Sequence, residues 1–208
     1  MKTSKGELIA ILPKTVYVAD DVCSEYNEKF KEEIYSLWKD NAFNNNDYFN
    51  VYSSHHEKNS LHRIAPFKQL TKVVEEHIYE FLLAYGYNEF IARNIKVSQM
   101  WFNIGEKGNY LFPHTHPGSF ISGAFYVQTN EENWLQFYDP NKFSAVAQPD
   151  NVNDLSTNMF PVKCEDNRLL LFHSDLHHDT VEQQCERHKI VISFNTTAMF
   201  WKTGEGMA

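Results

Sequence analysis

Hydrophobic positions in the first third of the chain recur every three or four residues. Val22, Tyr26, Phe30, Ile34, Leu37 and Trp38 form one stripe, which predicts an amphipathic helix with Asp20 or Asp21 as its N-cap. Phe67, Leu70, Val74, Ile78, Phe81 and Leu82 form a second stripe. Pro66 suits the first turn of that helix, where it removes no intrahelical bond, and Gly86 suits a left-handed C-cap. Both stripes are read as core-facing.

From about residue 95 the period changes to two. Ile95, Val97, Met100 and Phe102 lie in a strand-like run that stops at the Gly105–Gly108 turn. Further strands are predicted at Phe120–Gln128, Trp134–Tyr138, Arg168–Phe172 and Lys189–Thr197, with an extended stretch at Thr15–Val18. No helix-length pattern separates the later strands, so they are expected to pair antiparallel in a sandwich or barrel. The fold class is therefore α+β, one domain over residues 1–208, with 1–94 as helical support and 95–200 as the β core. Asn44–Asp47 reads as a loop and Asn141–Pro161 as a long connection.

Charge narrows the partners. Lys plus Arg is 19 against 27 for Asp plus Glu, a net charge of −8, which argues against duplex nucleic acid as a ligand. No apolar run reaches the roughly 20 residues a membrane helix needs, and the polar start does not read as a signal peptide. Cys23, Cys164 and Cys185 are odd in number and far apart, as reduced thiols of a cytoplasmic protein would be. The Asn195-Thr196-Thr197 sequon is read as chance.

The chemical signal lies in the histidines. His114 and His116 stand two apart, so on extended chain both imidazoles point to one side. A third ligand must come from another segment, and His173, His177 and His178 follow directly on the apolar strand Leu169–Phe172. Neutral imidazoles suit Fe, Zn, Cu or Ni. His55, His56, His62, His77 and His188 are read as ordinary surface or core histidines.

The last strand adds a cation. Arg187, Lys189, Val191 and Ser193 share one face. If that face points outward, Lys189 is solvated. If it points inward, a buried ammonium has no acidic partner on its own strand, and an anionic ligand would resolve the cost.

These pieces, in this order, resemble the non-haem Fe(II), 2-oxoglutarate-dependent oxygenases, and most closely a small branch common in phage and bacterial genomes. The resemblance runs over Trp101-Phe102-Asn103, His114-Thr115-His116-Pro117, Ser122 to Val127, Phe137 to Pro140, Leu171 to His178 and Lys189 to Asn195. It implies a double-stranded β-helix, or jelly-roll, and a dioxygenase using Fe(II), 2-oxoglutarate and O2 to hydroxylate a prime substrate the sequence does not name. The metal ligands it implies are His114, His116 and His178. His178 takes the distal place, eleven positions before Lys189. Lys189 is then the grip on the far carboxylate of 2-oxoglutarate, with Arg187 as the substitute if the register shifts by two. Ser193 and Tyr126 match hydroxyls that assist it. The superfamily carries Asp or Glu where His116 stands, so Asp139 and Asp175 are alternative third ligands. Trp101, Phe102, Tyr110 and Phe112 are candidates for the pocket wall. Two other readings compete: a three-histidine, cupin-type metal enzyme that uses no 2-oxo acid, and a non-catalytic binding module.

Overall fold

The computed structural model describes residues 14–38, 51–55, 60–138, 150 and 157–198. Asp139 and His56, with the Asn44–Asp47 loop and most of Asn141–Pro161, lie outside the described residues.

Both predicted helices form. The first, α1 (Asn27–Trp38), follows a single 3-10 turn at Ser24–Tyr26, and the second, α2 (Phe67–Ala84), begins directly after Pro66. A short α3 (Glu89–Asn94) follows, capped by Asn88, whose side chain accepts the Ile91 N–H at 2.9 Å. The expected Asp cap on α1 is not used. Asp20 pairs with Arg168 at 2.6 Å, and Asp21 and Cys23 take left-handed φ values of 58° and 51°. The chain there must turn sharply from a strand into the helix, and that turn consumes both positions. Gly86, with φ of 95°, does end α2, in a conformation a Cβ would strain.

The strands build two facing sheets. The larger contains β1 (Val16–Ala19), β2 (Tyr52–Ser53), β3 (Ile95–Gly105), β4 (Ile121–Gln128), β7 (Leu169–His173) and β9 (Lys189–Ala198), in the order β1-β7-β4-β9-β3-β2. The smaller contains β5 (Trp134–Tyr138), β6 (Met159–Lys163) and β8 (His177–Thr180), in the order β6-β5-β8. Every strand pair within the two sheets is antiparallel. The two facing antiparallel sheets with helices behind one of them form the double-stranded β-helix architecture.

Alternation sorts the central strand β9 into two faces. Ile190, Ile192 and Phe194 are fully buried in a core shared with the helices. Phe30 of α1 stacks on Phe67 of α2 at 5.7 Å and meets Phe125 of β4 edge-on at 5.9 Å, which ties both helices to the sheet. Lys189, Val191, Ser193 and Asn195 point the other way, into the space between the sheets. The placement of Asn195 there, 9% exposed, removes the sequon from consideration as an acceptor.

Strand β3 explains an irregular spacing. Val97 and Met100 are both buried although three apart, because the register slips between Val97 and Gln99. After the slip, Met100, Phe102 and Ile104 face the helices, while Gln99, Trp101, Asn103 and Gly105 face the space between the sheets.

Candidate active site

The space between the sheets is a cavity of about 400 Å³. Its walls include Trp101, Asn103, Ala124, Leu135, Phe172, Lys189, Val191 and Ser193 together with His114, His116 and His178.

The backbone brings the three histidines together. His114 and His178 exchange N–H···O bonds of 3.0 and 3.1 Å, adding a short bridge to the edge of β8. The His116 N–H donates to the Ser174 carbonyl at 2.9 Å. Residues 114 and 116 therefore aim their rings at the ring of residue 178. The three candidate ligand nitrogens lie within 4.8 Å of one another.

Hydrogen bonds fix how each ring presents itself. The Phe112 carbonyl accepts from His114 Nδ1 at 2.7 Å, and the Leu176 carbonyl accepts from His178 Nδ1 at 2.8 Å. A carbonyl oxygen cannot donate, so both Nδ1 atoms carry the proton and both Nε2 atoms keep the lone pair. Burial among apolar neighbours holds His116 and His178 down at about 3 and lowers His114 as well. All three are neutral at physiological pH, the state a metal requires.

The donor set fits a transition metal. His116 Nε2 and His178 Nε2 are 3.1 Å apart. Two nitrogens each about 2.0–2.1 Å from one ion stand roughly 3.0–3.4 Å from each other. Facing lone pairs at that distance repel unless a proton or a cation lies between them.

Lys189 sits on the same cavity wall. Burial lowers its pKa, the cause being loss of water around the ammonium, and the Cys164 thiol opposes the shift weakly. Its side chain keeps partial exposure because it borders the cavity. Among the described residues no carboxylate pairs with it. Its Nζ lies 5.7 Å from the centre of the Tyr126 ring. Ser193, four residues on and on the same face, accepts from Asn103 Nδ2 at 3.0 Å.

Several sequence expectations change. Arg187 is outside the cavity: its side chain is 51% exposed and reaches Asp166 at 3.5 Å, because it precedes β9 in a solvated turn. Tyr126 is fully buried between the sheets and supports Lys189 with its ring rather than lining the cavity. Asp175 is exposed and borders a separate surface hollow with His173, so neither joins the three imidazoles. His177 points away from the ring of His178, as neighbours on a strand must. Trp101 lines the cavity, whereas Phe102 is buried behind it and Phe112 is 45% exposed. His55, for which the sequence predicts only an ordinary surface or core role, lines the cavity and meets the Trp101 ring edge-on at 4.6 Å. Only the pairing of β2 with β3 places it there, and no local pattern announces that. Gln99 and Asn195 were likewise missed as wall residues, although their parity with Trp101 and Ser193 was readable.

Residues 99–195 match the model of a family described as "Putative 2OG-Fe(II) oxygenase". This span is a 2-oxoglutarate- and Fe(II)-dependent oxygenase core. It contains all three imidazoles and Lys189, and Fe(II) and 2-oxoglutarate are its cofactor and cosubstrate. No curated protein sequence matches the chain. Among solved structures, the oxygenase core and its helices resemble HygX from Streptomyces hygroscopicus with nickel and 2-oxoglutarate bound. That likeness has a TM-score of 0.60 at 14% identity, over 90% of this chain and 84% of that one. A prolyl-4-hydroxylase from Pseudomonas putida gives 0.57 at 10% identity, over 88% and 92%. A prolyl hydroxylase from Trichoplax adhaerens, in complex with a hypoxia inducible factor peptide fragment, gives 0.57 at 11%, over 92% and 87%. At these identities the likeness is one of fold. Among the described residues no helix is long and apolar enough to cross a membrane.

Proposed function

We propose that His114, His116 and His178 hold Fe(II), and that Lys189, assisted by Ser193, binds the remote carboxylate of 2-oxoglutarate. The enzyme then hydroxylates a prime substrate that is either a prolyl-type residue or a small molecule. One observation carries this reading: three neutral imidazoles converge in the same cavity as an ammonium that has no carboxylate partner among the described residues. Desolvating an ammonium without an anion is costly, and a bound dicarboxylate offsets that cost.

When bound, Fe(II) and 2-oxoglutarate supply the O2-dependent chemistry, with 2-oxoglutarate leaving as succinate and CO2. The protein's residues hold and orient. The Phe112 and Leu176 carbonyls lock the rings of His114 and His178. Asn103 turns the Ser193 hydroxyl, and the Tyr126 ring backs the ammonium. Leu135, Phe172 and Val191 form an apolar wall that excludes water from the reacting region. Helices α1 and α2 back the larger sheet, which carries Phe172 and Val191 of this wall. Three free cysteines suit a reducing, cytoplasmic setting.

The test is a thermal-shift titration with Mn(II) in place of Fe(II), followed by an assay for succinate. Stabilisation by 2-oxoglutarate that requires the metal and vanishes in Lys189→Ala is the expected result. Iron-dependent O2 uptake without succinate would overturn it and favour a three-histidine dioxygenase that uses no 2-oxo acid.

A further inference from the structure

The cavity has a second polar end. Along the paired strands β3 and β9, Gly105 faces Lys189, Trp101 faces Ser193 and Gln99 faces Asn195. Asn195 stands six positions after Lys189, and at about 3.3 Å per step that puts roughly 20 Å of strand between the two ends. The cosubstrate in the reading above occupies the Lys189 end and reaches to the metal. The His116 ring is 6.1 Å from that of Trp101, mid-way along the wall. Gln99 and Asn195 lie beyond it.

This end is built. Asn195 is 9% exposed and Ser122 1%. The Ser122 hydroxyl donates to Asn195 Oδ1 at 2.8 Å, and the buried Ser174 hydroxyl lies 2.7 Å from Ser122. With its oxygen so engaged, Asn195 turns its NH2 toward the cavity, where Gln99 Oε1 accepts one hydrogen at a long 3.4 Å. One N–H of Asn195 and both of Gln99 then have no acceptor among the described residues. Asn195 is buried and Gln99 half-buried, both on the cavity wall, so this end offers a surplus of donors to whatever enters the cavity.

We propose that Asn195 and Gln99 form the prime-substrate subsite and read a carbonyl oxygen, from an amide or a carboxylate. The proposal rests on the placement of cosubstrate and metal given above. Ser122 and Ser174 are positioning residues that hold the Asn195 amide in its turned state.

The experiment uses the full chain, 15N-labelled and loaded with Zn(II) and saturating 2-oxoglutarate, titrated with acetamide and separately with acetate. The Asn195 and Gln99 side-chain NH2 resonances are expected to shift saturably with at least one probe, and the probe that acts identifies the carbonyl source. Asn195→Ala and the milder Gln99→Met should each weaken that probe at least tenfold, while the 2-oxoglutarate concentration giving half-maximal stabilisation with Mn(II) moves less than twofold. A tenfold rise in that concentration in both variants would overturn the proposal, because the amides would then serve the cosubstrate. Absence of any shift with either probe would also overturn it, leaving a water-lined wall. If the wild-type chain is not stabilised by Mn(II) and 2-oxoglutarate, the reading of the cosubstrate site fails instead, and the same titration on the metal-free chain still reports on the subsite.

Discussion

His116 Nε2 and His178 Nε2 lie 3.1 Å apart although the two residues are 62 positions apart in the chain. Each belongs to a different backbone segment, joined by the bridge between His114 and His178. If that separation marks one shared ion, His116→Ala and His178→Ala should each abolish stoichiometric Mn(II) binding, followed by electron paramagnetic resonance. The far-ultraviolet circular dichroism should be unchanged, because the three rings border the cavity and the bridge between His114 and His178 is made by backbone atoms. Retained binding in both variants would remove these residues from the ligand set.

Lys189 and Arg187 make opposite predictions. Removing a charge-assisted contact costs about 1.5–3 kcal/mol, or roughly 10- to 150-fold in affinity. Lys189→Ala should raise the KM for 2-oxoglutarate by that factor, and Arg187→Ala should leave it unchanged, since Arg187 faces solvent and Asp166. Equal effects of the two would mean that the carboxylate is held outside the cavity.

Gly123 marks the tightest point of the sheet. A Cβ there would lie 2.3 Å from Phe194 Cζ and 2.6 Å from the Leu170 carbonyl oxygen. One contact is the fully buried Phe194 ring and the other is backbone, so neither yields cheaply. Gly123→Ala should destabilise the fold by about 1–3 kcal/mol, the usual cost of overpacking. Urea denaturation measures it, and an unchanged midpoint would refute the packing described.

Two histidines away from the site set an acid sensitivity. His77, which hydrogen-bonds Tyr17 at 2.9 Å, and His173, ringed by Tyr85, Phe81 and Phe120, are both held below 6.5 by burial. Glu80 and Asp175 oppose the shift without cancelling it. Above pH 6.5 each is neutral in both the folded and the unfolded chain, so no stability is lost. Below it the unfolded chain takes up protons first, and stability declines as the pH falls towards the folded values. The urea midpoint should therefore drop between pH 7.5 and 5.5, and His77→Gln with His173→Gln should make the drop shallower, the remainder coming from His62 and the three cavity histidines, which burial also lowers.

Much of the fold was legible locally. The stripes from Phe30 to Trp38 and from Phe67 to Leu82 needed only the helical period, and β5 was bounded by its own alternation and turns. Strand β6 escaped notice because Met159–Lys163 carries Pro161 and is half-exposed on an edge, where no apolar alternation is required. The cap of α1 was misjudged because an ion pair with Arg168, 148 residues away, competes for Asp20.

By itself the sequence determined which residues share a face: His114 with His116, and Lys189 with Val191 and Ser193. The period of an extended chain is a local property, and so is the choice of imidazole and ammonium as the chemical groups. Only the tertiary structure decided that the Lys189 face turns inward, that Arg187 stays in solvent, and that His178 rather than His173 or His177 meets the other pair. Those outcomes depend on which sheet packs against the helices and on a backbone bridge between distant segments, and no stretch of sequence carries that information alone.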